Sequence, residues 1–167
     1  TPNYVLLPFD GPAFTTVHDL SWLSYPQAHP RERVRFLERH LPRSLEQAAC
    51  VLTDSQFIAS EIEARLGVSP ARLRVVPLGV DASYRTRTTG ELAAVLQRHR
   101  LAQQRYLLVV ATQEPRKNLA RLVRAYAGLP AALRAQHRLV IAGGRGWLNR
   151  ELEQAIAPLE ARDEARR

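Results

Sequence analysis

The sequence has no methionine, one cysteine and one lysine. Because no Met stands at position 1, we expect the chain to begin inside a longer protein. Cys50 has no second cysteine with which to form an internal disulfide, and its apolar neighbours predict a buried structural thiol rather than a nucleophile. A chain without a cysteine framework is typical of a reducing compartment, which predicts a cytoplasmic location.

Long apolar runs are also missing. No segment approaches the roughly 18 consecutive apolar residues that a transmembrane helix requires. Residues 1–11 lack the basic start and the continuous apolar stretch of a signal peptide. The hydrophobic content of 46% is nevertheless that of a globular protein and excludes intrinsic disorder. No group of His, Cys and carboxylate residues has metal-ligand spacing, so we expect no structural metal.

The positive charge is large, but it is dispersed. The formal net charge is +8, and all basic residues except Lys117 are arginines. These arginines are scattered among glutamates, whereas a nucleic-acid-binding protein concentrates its cations on one face beside stacking aromatic residues. Nucleic-acid binding is therefore the least favoured alternative. Peripheral attraction to an anionic membrane surface fits the charge better, although no motif specifies it.

Short apolar segments alternate with helical periodicities, which predicts an α/β fold with parallel sheets and helical crossovers. The predicted strands cover 15–17, 50–53, 74–76, 106–111 and 139–142. Pro30 opens the first long helix, and Pro42 predicts a kink in it or its division into two shorter helices. The continuous apolar run from Tyr106 to Ala111 predicts a strand buried on both faces. Residues 79–90 are predicted to be a linker, followed by a short helix near Leu92.

The unusual polar residues share one position, because they follow the predicted strands. They include His18-Asp19, Asp54-Ser55, Glu114-Pro115-Arg116-Lys117-Asn118 and Gly143-Gly144-Arg145-Gly146. In an open parallel sheet the carboxyl ends of the strands form the ligand crevice. The pattern predicts a ligand site there but does not name the ligand.

The chemistry of single residues leaves alternatives open. Lys117 has two interpretations. It is either a compact point charge that stabilises a diphosphate leaving group, or an exposed lysine at the start of a helix. Arg116 shares that role or faces solvent. Gly143 and Gly144 either let the backbone approach a phosphate or end the strand in a tight turn. His18 either hydrogen-bonds a sugar or is a core or capping histidine.

Several motifs together resemble the group 1 (family 4) retaining glycosyltransferases, and most of all their mannosyltransferase branch. The motifs cover nearly the whole chain in the order of that family: Thr16–Ser21, Thr53–Phe57, Val75–Asp81, Glu114–Leu119 and Val140–Trp147. The resemblance implies the GT-B architecture, in which two Rossmann-like domains face each other across a cleft. Residues 1–82 would be the second half of the acceptor-side domain, 83–103 a linker with a short helix, and 104–167 the first half of the nucleotide-sugar-binding domain.

The resemblance also implies roles for eight residues that follow strands. They are His18 and Asp19 at the reaction centre, Ser55 and Glu114 on the cleft wall, Arg116 and Lys117 at the donor diphosphate, and Gly143 and Gly144 on the nucleotide side. The donor would be GDP-mannose or another GDP-sugar, and the acceptor a glycan or lipid-linked glycan such as O-antigen. Transfer would retain the anomeric configuration and need neither a metal nor a cofactor.

Two departures from the family pattern bear on activity. Ala111-Thr112 stands where the family often has Gly-Arg, so one phosphate-binding cation is missing or is replaced by Arg116. The Gly-rich loop of the first domain and the paired-glutamate motif of the second are absent from this chain. We therefore expect the chain to be inactive by itself. The main alternative is a non-catalytic Rossmann-like module that binds a ligand without turnover.

Overall fold

Two three-stranded parallel sheets organise the chain. The computed structural model describes residues 3–103 and 105–167. One unit ends at Asp81 and the second begins at Ala82, and each holds one sheet. The α/β fold with parallel strands and helical crossovers is therefore confirmed. The assignment of residues 1–82, 83–103 and 104–167 to acceptor side, linker and donor side stays a prediction.

In the first unit, strands and helices alternate as expected. Its elements are β1 (Phe14–Thr16), α1 (Ser21–Ser24), α2 (Arg31–Gln47), β2 (Cys50–Thr53), α3 (Gln56–Leu66) and β3 (Leu73–Val75). Strand β2 lies in the middle and pairs in parallel with β1 and β3. Helix α3 begins and ends where the sequence predicts, because the Ser55 side chain caps its start and Gly67 closes it at φ 68°. Cys50 is only half-buried, so the predicted burial of its thiol is met only in part.

Helix α2 supplies much of the core of this unit, through the buried side chains of Leu37, Leu41 and Leu45. The predicted division of the helix at Pro42 does not occur, and a single helix runs through this residue. Pro42 lies on the exposed face. The carbonyl that loses its intrahelical donor there can accept from water, which lowers the cost of an internal proline.

In the second unit, helices α5 and α7 bury the middle strand of the sheet. Its elements are α4 (Thr89–Arg98), β4 (Arg105–Val110), α5 (Leu119–Ala127), α6 (Ala131–Gln136), β5 (His137–Ala142), α7 (Arg150–Glu160) and β6 (Ala165–Arg166). Leu139 and Ile141 of β5 cluster with Val123 of α5 and Ile156 of α7. The short helix α4 was predicted. The sequence pattern did not predict α6 or β6, which are only six and two residues long.

The predicted burial of β4 on both faces is wrong. Leu107, Leu108 and Val110 are 46%, 55% and 75% exposed. Within the described residues β4 pairs only with β5, so it is an edge strand of its sheet. An apolar run shows that a strand is suited to burial, but burial itself depends on the elements that cover it.

Truncation of Leu41 to alanine should lower the free energy of unfolding of the first unit by about 2–5 kcal/mol. Leu41 is only 1% exposed, so the shorter side chain would leave a cavity in the core. Leu7→Ala is the matched control, since Leu7 is 74% exposed and the same change should cost less than about 0.5 kcal/mol. Urea unfolding of the full-length protein measures both. Equal losses of stability in the two variants would contradict the assignment of the core.

Candidate functional site

The parallel pairing of β1 with β2 brings together two polar residues that follow these strands. Nδ1 of His18 lies 2.8 Å from Oδ2 of Asp54, and the two side chains are 42% and 22% exposed. Because Thr16 pairs with Leu52, extension of the same register by two residues places His18 beside Asp54. This arrangement presents a partly exposed imidazole that is held by a carboxylate.

Asp19, the other predicted reaction-centre residue, has a local role. Its Oδ1 accepts hydrogen bonds from the backbone N–H and the hydroxyl of Ser21, at 3.0 and 2.7 Å. The Tyr4 hydroxyl lies 3.2 Å from the Asp19 carbonyl oxygen, to which it donates. Burial, and then the nearby Asp19 charge, raise the pKa of Tyr4, so this phenol stays protonated at neutral pH. Asp19 thus anchors the start of α1 and the segment that carries Tyr4.

Ser55 follows Asp54 and caps α3, because its Oγ accepts from the Ile58 N–H at 3.3 Å. Its hydroxyl proton can still be donated to a ligand. The family resemblance implies a role for Ser55 in the site but none for Asp54. The position of Asp54 directly after a strand was the available signal. Only the register shows that it reaches His18 rather than another neighbour.

In the second unit, the segments that follow β4 and β5 continue the pairing of these strands. We call residues 111–118 and 143–149 the paired loops. The Gln113 N–H donates to the Gly144 carbonyl at 3.0 Å, and the Gly146 N–H donates to the Gln113 carbonyl at 3.1 Å. The side-chain amide of Gln113 also donates to the Gly143 carbonyl at 3.2 Å. The predicted diphosphate-side and nucleotide-side residues therefore lie on adjacent loops.

The glycines of the second loop do not share one role. A Cβ on Gly143, whose φ is +152°, would lie 2.1 Å from the Ala111 carbonyl oxygen. A Cβ on Gly146 would lie 2.6 Å from the Gln113 carbonyl oxygen. These two residues are glycine because the neighbouring loop is too close for a side chain. Nothing lies within 4 Å of a Cβ placed on Gly144. Gly144 is thus the glycine whose surroundings leave room for a ligand.

The charged residues of the first loop comprise an ion pair between Glu114 and Arg116 and an exposed cation, Lys117. Oε1 of Glu114 accepts from Nε and Nη2 of Arg116, at 3.0 and 2.8 Å, and the Glu114 side chain is only 3% exposed. The two charges therefore largely neutralise each other. Lys117, which ends the 3₁₀ turn Pro115–Lys117, is exposed and forms no ion pair with any residue in 3–103 or 105–167. Its ammonium is the loop cation that is free to meet an anion.

The part of the chain that the structure describes contains neither a metal-binding cluster nor a helix able to span a membrane. Within residues 3–103 and 105–167, no group of three or more His, Cys, Asp or Glu is arranged to hold a metal ion. In the same ranges no helix has both the length and the apolar character needed to cross a bilayer.

The fold of the chain is similar to that of HepE, a protein crystallised with a nucleotide-sugar. HepE from Anabaena, in its crystal structure with UDP-glucose, superposes with a TM-score of 0.68 at 18% identity, over 93% of this chain and 41% of HepE. The HepE structure with UDP and glucose gives a TM-score of 0.69 at 18% identity, over 93% and 40% of the two chains. At such low identity the likeness shows the fold alone.

Sequence comparison gives a family match for the first unit and a curated relative for most of the chain. The model of Glycosyltransferase Family 4 matches residues 3–84. O-antigen chain mannosyltransferase B from Escherichia coli is 38% identical over 155 residues, which are 93% of this chain and 41% of that protein. Residues 3–84 therefore match glycosyltransferase family 4, and the chain spans about two fifths of the length of these relatives.

The two glycines before Arg145 should respond differently to the same substitution. Gly143→Ala should lower the free energy of unfolding by at least about 1 kcal/mol, because the new methyl group would collide with the Ala111 carbonyl at a positive φ. Gly144→Ala has open space and should cost less. Thermal unfolding of the full-length protein compares the two variants. Equal tolerance of both substitutions would contradict the close approach of the paired loops.

Proposed function

We propose that the full-length protein transfers mannose or a related hexose from a nucleotide-sugar to a growing surface glycan such as O-antigen. The observation that carries the proposal is the 38% identity, over 93% of the chain, to a protein named as an O-antigen chain mannosyltransferase. The acceptor is a glycan or a lipid-linked glycan, and the donor is GDP-mannose or another GDP-sugar. UDP-glucose, which is bound in the HepE crystal structure, is the second donor to test.

In this proposal the leaving group is a nucleoside diphosphate, and Lys117 stabilises its negative charge. The bond from the anomeric carbon to the phosphate oxygen breaks, and the acceptor oxygen bonds to the same face of the sugar. The anomeric configuration is retained because the acceptor oxygen bonds to the face that the diphosphate leaves, and the acceptor proton passes to the departing phosphate oxygen. A fixed cation accelerates such a step when it lies where charge develops in the transition state.

The geometry supports different roles for the two adjacent cations. Lys117 is exposed and unpaired within the described residues, whereas the Arg116 guanidinium is held by the buried Glu114 carboxylate. We infer that Lys117 contacts the diphosphate directly and that Arg116 acts with Glu114 to shape the turn before it. Gly144 supplies the open backbone of the neighbouring loop on the nucleotide side. His18 contacts the donor sugar, and Ser55 lines the same surface.

Localisation and partners are part of the proposal. The net charge of +8 favours attraction to anionic phospholipid. We propose that the protein works in the cytoplasm and associates peripherally with the inner face of the cytoplasmic membrane, where a lipid-linked acceptor would be presented. No nucleic-acid partner is proposed.

Replacement of Lys117 by alanine should lower kcat for sugar transfer about 100-fold, because the leaving group loses its cation. The assay offers the full-length protein GDP-mannose, UDP-glucose and dTDP-sugars with a glycan acceptor. Arg121→Ala is the matched control, since it removes an exposed cation from the following helix and should leave the rate near that of wild type. Unchanged turnover in Lys117→Ala would reject its role, and no turnover of any donor by the wild type would reject the proposed function.

Metal removal provides a separate test. If a protein cation stabilises the diphosphate, transfer by the full-length protein should continue at an unchanged rate in EDTA after dialysis against chelator. The measurement is the initial rate with GDP-mannose, with and without added Mg²⁺ or Mn²⁺. A rate that collapses in EDTA and recovers with either ion would contradict metal independence, without affecting the assignment to the family.

A further inference from the structure

The hydrogen bond between His18 and Asp54 joins two loops that are far apart in the sequence. The residues are 36 positions apart, and their side chains meet at 2.8 Å because parallel β1 and β2 end side by side. Neither residue lies inside a strand. Each therefore leaves its strand at the carboxyl end, the edge at which open parallel sheets bind their ligands.

The identity of the bonded atoms determines which tautomer the ring adopts. An ionised carboxylate has no proton to donate and can only accept a hydrogen bond. The hydrogen in the contact with Asp54 therefore belongs to Nδ1 of His18. In the neutral imidazole the other nitrogen, Nε2, is then a hydrogen-bond acceptor. The 42% exposed side chain of His18 leaves this ring accessible to a ligand.

The carboxylate of Asp19, the residue after His18, has other hydrogen-bond partners than the His18 ring nitrogen that Asp54 contacts. Oδ1 of Asp19 accepts from the backbone and hydroxyl of Ser21, and Ser21 Oγ lies 3.0 Å from Nε2 of His29. The Tyr4 ring meets the His18 ring edge-on, with centroids 6.2 Å apart. Tyr4 thus bounds the imidazole on one side while Asp54 holds its Nδ1.

We propose that Asp54 is a positioning residue for His18. It holds the imidazole in the Nδ1–H tautomer and orients Nε2 as an acceptor for a hydroxyl group of the sugar substrate. Carboxylates that bond the far nitrogen of a functional histidine serve this purpose at metal and hydrolase sites, where they fix both the tautomer and the ring orientation. The sugar hydroxyl as ligand of Nε2 rests on the proposed function. The Nδ1–H tautomer of His18 is independent of it.

The tautomer can be measured directly by ¹⁵N NMR of the full-length protein with labelled histidine. The His18 signal is assigned from its loss in His18→Gln. We expect the neutral wild-type ring to carry its proton on Nδ1 and the Asp54→Asn ring to populate both tautomers. Asp10→Asn is the matched control, because it makes the same chemical change at an exposed aspartate and should leave the His18 signal unchanged.

Transfer kinetics test the functional consequence. Asp54→Asn should lower kcat by at least about 10- to 100-fold, the range found when the carboxylate that orients a metal-ligating histidine is lost. Asp54→Glu keeps the carboxylate and should therefore recover part of the lost kcat. If the contact were purely structural, this recovery would not be expected. Asp10→Asn should retain wild-type kcat. Circular dichroism and thermal unfolding confirm that each variant is folded.

The outcomes separate this inference from the proposed function. A wild-type His18 protonated on Nε2, or a folded Asp54→Asn variant with unchanged tautomer and kcat, would overturn the role of Asp54. If the wild type transferred no sugar from any donor, the proposed function and the sugar hydroxyl as ligand would fail. The NMR comparison would still decide whether Asp54 positions the ring.

Discussion

Parallel pairing of neighbouring strands is the constraint on which both candidate sites depend. In each sheet the strands run in the same direction, so their carboxyl ends meet at one edge and the residues that follow them become neighbours. The register of β1 and β2 brings His18 to Asp54. The register of β4 and β5 brings Gln113 to Gly144 and Gly146 in the other of the paired loops. A shift of one residue in either register would break these contacts while the helices stayed intact.

The distribution of charge within the paired loops follows from burial. A buried carboxylate is costly unless it is paired, so Glu114 holds the guanidinium of Arg116. This pairing engages Nε and Nη2 of Arg116, and the ammonium of Lys117 is exposed at the end of the same turn. One loop thus contains an ion pair that shapes the backbone and a cation that is open to a ligand.

Local chemistry explains which elements were predictable. The start of α3 at Ser55 and its end at Gly67 follow from side-chain capping and from the left-handed backbone that glycine adopts, and both were predicted correctly. The exposure of β4 was not predictable, because the same apolar run is buried or exposed according to what covers it. The continuity of α2 through Pro42 likewise depends on the exposed position of that proline. The two-residue strand β6 is too short to show a periodicity.

The sequence by itself determined the alternation of strands and helices, the family motifs and the position of the polar residues after the strands. These features depend on side-chain types at short spacing, which can be read without coordinates. The tertiary structure alone decided which polar residues meet: Asp54 rather than Asp19 at Nδ1 of His18, Glu114 at Arg116, and Gly143 against Ala111. These contacts join residues on different strands or in tight turns, so they depend on register and backbone approach, which residue order does not specify.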